Sequence, residues 1–296
     1  MKFVPNFRLP RLPSWGISLV FFSLFTGHSV TLASAESASP WVKGFHTTAR
    51  LISGAKSPEA YKDRLVAGVH VTLEKGWKTY WRIPGDAGVP PHFDWSGSSN
   101  VKDLKVLWPA PKRLQDEYGT SIGYYDEVVF PVVIVPAKRG EPVDLNLKLG
   151  YAVCKDICIP AEATMRFQVV GTHSSNPNTG ALLAGYLDQV PAQVSKTDAG
   201  AVPKLRDVKI QLEGEKPELL IDAVFAEKAA GRDLFIEAPN DYYLPVAEKI
   251  SEEPGGIVRY RVDLTQADDP KTLRGKLIRF TLVSSAGHSE IEWQLN

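Results

Sequence analysis

The stretch Val143-Asp144-Leu145-Asn146-Leu147-Lys148-Leu149-Gly150-Tyr151-Ala152-Val153-Cys154-Lys155-Asp156-Ile157-Cys158-Ile159-Pro160 decides the fold class of this chain. Leu145, Leu147 and Leu149 alternate with Asn146 and Lys148, the period of a strand with one buried face. Two cysteines four positions apart on one straight strand would lie about 13 Å apart at Cα. A disulfide needs roughly 4.4–6.8 Å. The pair can be bridged across a tight hairpin with Lys155-Asp156-Ile157 as the loop, or across one helical turn. The β-rich flanks and Pro160 favour the hairpin.

Outward from this hairpin the same patterning recurs. Residues 64–73, 127–135, 143–153 and 163–170 are rich in Val, Leu and aromatics, with partial alternation and turn residues between them. Residues 171–178 read as a loop, and residues 179–190 as one short helix stopped by Pro191. Strand patterning resumes at residues 208–212, 219–225, 234–237, 257–264, 277–283 and 291–295. Short strands at this spacing fit an immunoglobulin-like sandwich. The expectation is an all-β protein of two immunoglobulin-like β-sandwich domains, at residues 36–172 and 203–296. A linker over 173–202 with a short helix joins them. Residues 77–95, which mix aromatics with Pro and Gly, read as a long structured loop between strands. They serve either as core aromatics with turns or as a surface that docks a partner.

The chain has 296 residues, with 34 basic and 34 acidic side chains. This balance gives no field to draw in nucleic acid or an anionic membrane. Residues 1–35 read as a secretory signal. Lys2, Arg8 and Arg11 give a basic start, an apolar stretch runs over residues 15–32, and Ala33-Ser34-Ala35 is a small-x-small cleavage site. The competing reading is an uncleaved anchor, but Ser18, Ser23, Thr26, Gly27, His28 and Ser29 interrupt the stretch, which is poor for a bilayer span. Cleavage leaves 31 basic against 34 acidic residues. No second run is long enough to cross a membrane. The expected location is the periplasm, where a thiol pair is oxidised unless something keeps reducing it.

Cys154 and Cys158 are the only cysteines, which excludes a disulfide-rich scaffold, a four-cysteine zinc site and a cysteine-held iron–sulfur cluster. Three roles stay open: a redox-active pair, a structural bridge and metal ligation. As a staple the bridge closes only five residues, about 2 kcal/mol in the chain-entropy picture. Asp156 and Lys155 would tune thiolate formation in opposite directions. The spacing and the strand-rich surroundings do not fit a thioredoxin-type Cys-x-x-Cys at a helix start. A relay that passes electrons between partner proteins suits a hairpin pair better.

The motifs Tyr118-Gly119, Tyr124-Tyr125-Asp126-Glu127, Phe130-Pro131-Val132 and Cys154…Cys158-Ile159-Pro160 resemble the N-terminal periplasmic domain of the DsbD thiol:disulfide interchange proteins. Pro84-Gly85-Asp86-Ala87-Gly88, Trp108-Pro109-Ala110-Pro111 and Cys154-Lys155-Asp156-Ile157-Cys158 are closer to the ScsB branch, linked to suppression of copper sensitivity. The resemblance is strong over residues 40–172 and looser over 203–296. It implies an immunoglobulin-like domain whose cysteines, here Cys154 and Cys158, take electrons from a membrane-embedded thiol electron transporter. They then reduce periplasmic thioredoxin-fold proteins, such as disulfide isomerases or components of cytochrome c maturation. It also implies a cap over the cysteines, matched here by Asp116, Glu117 and Tyr118, with Tyr124 and Asp156 in support. Glu117 stands where the DsbD branch carries an aromatic, and the cysteine spacing is shorter than in that branch. The chain has neither a transmembrane electron-transfer domain nor a C-terminal thioredoxin domain, so the expectation is a relay module fed by a separate membrane protein. No cofactor is implied.

Two other patterns compete. Gly119-Thr120-Ser121-Ile122-Gly123 matches the Gly-x-Ser-x-Gly pattern of α/β-hydrolases, which needs a strand-to-helix elbow in a parallel sheet. A copper site would draw on both thiolates and a histidine from His46, His70, His92, His173 or His288. Soft ligands are sparse, however, with Met165 the only methionine after cleavage. A non-catalytic interaction module with a structural disulfide is the third class.

Overall fold

The structure is a computed structural model that describes residues 1–3, 37–116, 119–171, 176–198, 200, 202–239, 242–267 and 269–296. Residues 4–35 of the expected secretory signal lie outside the described residues, as do Glu117, Tyr118 and His173.

In chain order the strands are β1 (Val42–Lys43), β2 (Thr47–Ser53), β3 (Leu65–Leu73), β4 (Lys78–Gly85), β5 (His92–Asp94), β6 (Val101–Val106), β7 (Lys112–Asp116), β8 (Gly119–Tyr125), β9 (Glu127–Pro136), β10 (Val143–Cys154) and β11 (Cys158–Val169). The helix α1 (Pro177–Leu187) follows. After it come β12 (Ala192–Gln193), β13 (Lys204–Gln211), β14 (Glu218–Val224), β15 (Asp233–Glu237), β16 (Glu248–Glu253), β17 (Ile257–Asp263), β18 (Leu277–Ser284) and β19 (Gly287–Gln294). They form two layered pairs of sheets. The first pair has the orders β1-β2-β3-β9-β6 and β11-β10-β4-β8-β7, with β5 against β10; the second has β12-β19-β18-β15 and β13-β14-β17-β16. Among the described pairings only β12–β19 is parallel. The all-β expectation holds, and the structure is two stacked β-sandwiches.

The burial pattern explains the strand sequences. Along β10, Val143, Leu145, Leu147 and Leu149 point into the core, as their alternation predicts. β9 is nearly continuously apolar because both its faces are covered. Val128, Phe130, Val132 and Ile134 face the main core. Val129 and Val133 face outward onto Leu183 and Leu187 of α1. The helix therefore packs on the first sandwich. Asn176 caps it by accepting from the Asn178 amide at 2.9 Å, and Pro177 opens its first turn. It starts and ends a few residues earlier than residues 179–190.

Residues 77–95 correct the sequence reading. They are not one long loop, because residues 78–85 form β4 in the middle of a sheet and residues 92–94 form β5. Trp81 faces the core and Tyr80 the opposite side, yet both are fully buried. With both faces covered, no polar–apolar alternation survives to mark the strand.

The second sandwich closes around Leu219, Ile221, Val258, Tyr260, Phe280 and Leu282. Its Phe235 and Val283 pack into the core of the first. Arg82 of β4 seals this junction. Its guanidinium pairs with Glu237 through two bonds of 2.7 and 2.8 Å, contacts the Glu290 carboxylate, and lies 4.2 Å over the ring of Trp81. Arg113 of β7 adds a two-pronged pair to Asp233 at 3.0 and 2.7 Å. Burial alone would push Glu290 up, but Arg82, Gln193 and Arg279 outweigh it and hold the carboxyl below its ordinary value.

Candidate redox site

β10 and β11 run in register over their whole length and end with Cys154 opposite Cys158. Lys155, Asp156 and Ile157 make the turn, and the Lys155 amide donates to the Ile157 carbonyl at 3.2 Å. The two Cα atoms lie 4.2 Å apart and the sulfurs form a disulfide. This is the hairpin that the β-rich flanks and Pro160 favoured over one helical turn.

The two sulfurs differ in their surroundings. Cys154 is 1% exposed and clusters with Tyr80 and Ala152, whereas Cys158 is exposed beside a turn whose Ile157 is 65% exposed. Tyr80 lies beneath both. Its hydroxyl donates to Cys154 Sγ at 2.8 Å and sits 3.2 Å from Cys158 Sγ. Burial first, and the nearby Asp116 carboxylate second, raise the Tyr80 pKa, so the phenol keeps its proton and acts as a donor.

β4 positions this phenol. Lys78 is the sheet partner of Cys154 on one side and of Tyr125 on the other. Residues two apart on a strand share a face, so Lys78 and Tyr80 lie on the same side as the cysteine. The Thr79 hydroxyl donates to the Ala152 carbonyl at 2.9 Å and locks the two strands together beside the disulfide. The chain at Gly88 covers the outer side of the phenol. A Cβ there would stand 2.3 Å from a Tyr80 ring carbon, and φ is +136°, so only glycine allows this approach. The Lys78 ammonium is buried. It contacts the Asp116 carboxylate, lies 3.0 Å from Ser121 Oγ and sits 5.9 Å from the centre of the Tyr80 ring.

The expected supporting residues divide. Asp116, at the end of β7, reaches the site through Lys78, and Asp156 lies exposed in the cysteine turn. Tyr124 faces the opposite side of β8, in the core. It packs on Phe130 at 5.6 Å, donates to the Pro109 carbonyl at 2.8 Å, and burial drives its phenol far above the ordinary value. Ser121 lies inside an antiparallel strand under Lys78, with no strand-to-helix elbow, so the hydrolase pattern is coincidental. Among the described residues no group of three His, Cys, Asp or Glu side chains is arranged to hold a metal. Lys78 and Tyr80 are missed by the sequence reading. The signal that would have found them is their i, i+2 spacing, visible only once residues 78–85 are taken as a strand.

Residues 50–169 match the family described as thiol:disulfide interchange protein DsbD, N-terminal. No curated protein sequence matches the chain. Among solved structures, the N-terminal periplasmic domain of ScsB from Proteus mirabilis aligns with a TM-score of 0.66 at 18% identity, covering 88% of this chain and 99% of that one. The shared fold therefore extends past the family-matched stretch into the second sandwich. CfaE, the adhesive subunit of CFA/I fimbria of enterotoxigenic Escherichia coli, aligns at 11% identity over 88% of this chain and 80% of that one, with a TM-score of 0.16, and carries no argument. The family match contains both cysteines and the strand bearing Lys78 and Tyr80, so the stretch that carries the disulfide is the part of the chain that is similar to the N-terminal domain of the DsbD thiol:disulfide interchange proteins.

Proposed function

We propose that the Cys154–Cys158 disulfide is redox-active and that this chain works in the periplasm as an electron relay. It is reduced by a membrane-embedded thiol transporter and in turn reduces the disulfides of thioredoxin-fold proteins, among them disulfide isomerases or components of cytochrome c maturation. The observation that carries the reading is the asymmetry of the pair: an exposed Cys158 and a buried Cys154 whose sulfur already accepts a hydrogen bond from Tyr80. A purely structural bridge has no use for one open sulfur and a positioned donor on the other.

The chemistry follows from this arrangement. A donor thiolate attacks Cys158 Sγ and forms a mixed disulfide. The Cys154–Cys158 bond breaks, and Cys154 leaves with the electron pair as a thiolate facing Tyr80. A second donor thiol then attacks the mixed disulfide and releases the reduced pair. Delivery to a substrate runs the same steps in reverse, with Cys158 attacking and Cys154 resolving. The test uses Cys154→Ser, which keeps the open sulfur and removes the resolving one. It should accumulate a mixed disulfide with a thioredoxin-fold partner, and Cys158→Ser should not. Absence of any adduct with Cys154→Ser would overturn the proposal.

A further inference from the structure

We infer that Lys78, held by Asp116 and Ser121, sets the charge felt by the departing Cys154 thiolate. It would thereby control how readily the disulfide opens. The inference rests on the relay reading for its purpose and on separate observations for its chemistry.

A lysine is seldom buried unless its charge has a partner. Lys78 is 4% exposed, in the middle of the sheet, directly beside Cys154 in the pairing register. Neighbouring residues in an antiparallel pair lie about 4.5–5.5 Å apart at Cα with their side chains on the same face. The ammonium stands over the Tyr80 ring, and the Tyr80 hydroxyl touches Cys154 Sγ. The line from cation to phenol to sulfur therefore crosses buried side chains rather than water, where charges act on each other far more strongly than in solvent. Asp116 is the counter-ion of this ammonium and is near enough to the phenol to raise its pKa.

This matters at one step. When the attacking thiolate bonds to Cys158 Sγ, the electron pair of the old S–S bond goes to Cys154. A negative charge appears at a buried sulfur, with no proton transferred. The Tyr80 hydroxyl stabilises that charge by hydrogen bonding. The Lys78 ammonium stabilises it through the phenol, and Asp116 limits the effect. A lower thiol pKa in the leaving sulfur makes it leave faster.

The two members of the ion pair should therefore have opposite effects. Lys78→Met removes the cation and leaves Asp116 unbalanced, so the Cys154 thiol pKa should rise by about one pH unit. Reduction of the disulfide by dithiothreitol should then slow several-fold. Asp116→Asn leaves the cation alone, which should lower the pKa and speed reduction. Lys78→Arg keeps the charge and should stay near wild type. The thiol pKa is read in a Cys158→Ser background, where Cys154 is the only thiol, from thiolate absorbance at 240 nm against pH. The rate is read in the two-cysteine protein.

A merely structural ion pair predicts shifts of the same sign for both variants, because each breaks the same contact. Shifts of the same sign, or none, would overturn the inference. If Lys78→Met does not fold by circular dichroism, the downward shift in Asp116→Asn decides the matter. Opposite shifts without a trapped partner would keep Lys78 as a charge-setting residue and sink the relay. A trapped partner with unmoved pKa values would do the reverse.

Discussion

The Tyr80 hydroxyl donates to Cys154 Sγ at 2.8 Å, a contact between residues 74 positions apart that ties the middle of β4 to the tip of the cysteine hairpin. It is a weak bond to a disulfide sulfur and a charge-assisted one to a thiolate, so it favours the reduced state. Tyr80→Phe should keep the fold, since the ring stays. It should lower the reduction potential by about 30 mV, the equivalent of one charge-assisted bond's surplus of about 1.4 kcal/mol in this two-electron couple. Equilibration against glutathione at known ratios checks it, and an unchanged potential would remove Tyr80 from the chemistry.

The difference in burial between the sulfurs predicts a difference in reactivity. In the reduced protein Cys158 should be alkylated by iodoacetamide at least about tenfold faster than Cys154, since a reagent must reach the sulfur to react. Peptide mass spectrometry after a short pulse gives the ratio. Equal labelling would mean that the hairpin opens on reduction.

The hairpin itself is legible from the sequence because its information is local. Leu145, Leu147 and Leu149 mark the strand, and the spacing of Cys154 and Cys158 together with the strand-rich flanks and Pro160 points to the turn. The strand β9 is visible for the same reason, although its unbroken apolar run gives no hint that α1 covers its second face. β4 is not legible as a strand. Lys78 and Tyr80 point one way and Trp81 the other, and all are buried, so the polar half of the usual alternation is missing. The site suffers from that misreading, because Tyr80 and Lys78 meet Cys154 only through sheet pairing over more than seventy residues. Tyr124 is the reverse case. A motif resemblance names it as a supporting residue, and the two-residue period of the strand turns its ring to the core, on the face away from Lys78 and Tyr80.

At the junction of the two sandwiches, Arg82 neutralises Glu237 and Glu290, both largely buried. Arg82→Ala strands two carboxylates, of which Arg279 reaches each at 3.5 Å. The expected loss is about 3–5 kcal/mol, the cost of breaking a buried pair by removing one partner. Urea unfolding measures it. A loss below about 1 kcal/mol would show that the cluster behaves as surface charge.

His70 makes stability depend on pH. Its Nδ1 accepts from Arg50 Nε at 3.3 Å and its Nε2 lies 2.7 Å from Glu127, so the ring is held in its neutral form with the proton on Nε2. Burial, only partly opposed by Glu127, lowers its pKa from 6.5, and burial lowers that of His288 as well. Below pH 6.5 the unfolded chain takes up protons that the folded chain resists. The stabilisation is therefore complete above that pH and is lost as pH falls through it towards the folded value. The melting temperature should drop between about pH 7.5 and 5.5, and His70→Gln should flatten the slope. An identical slope in the variant would place the effect elsewhere.

The central claim is that the Cys154–Cys158 disulfide exchanges with partner thiols through Cys158. The most direct measurement mixes oxidised protein with a reduced thioredoxin-fold dithiol, quenches with acid and counts free thiols by mass. We predict rapid transfer to the two-thiol form, and, when Cys154→Ser is mixed instead with the same partner in its oxidised, disulfide form, an adduct linked through Cys158. A disulfide that stays closed against excess dithiol partner, with no adduct in the variant, would contradict it.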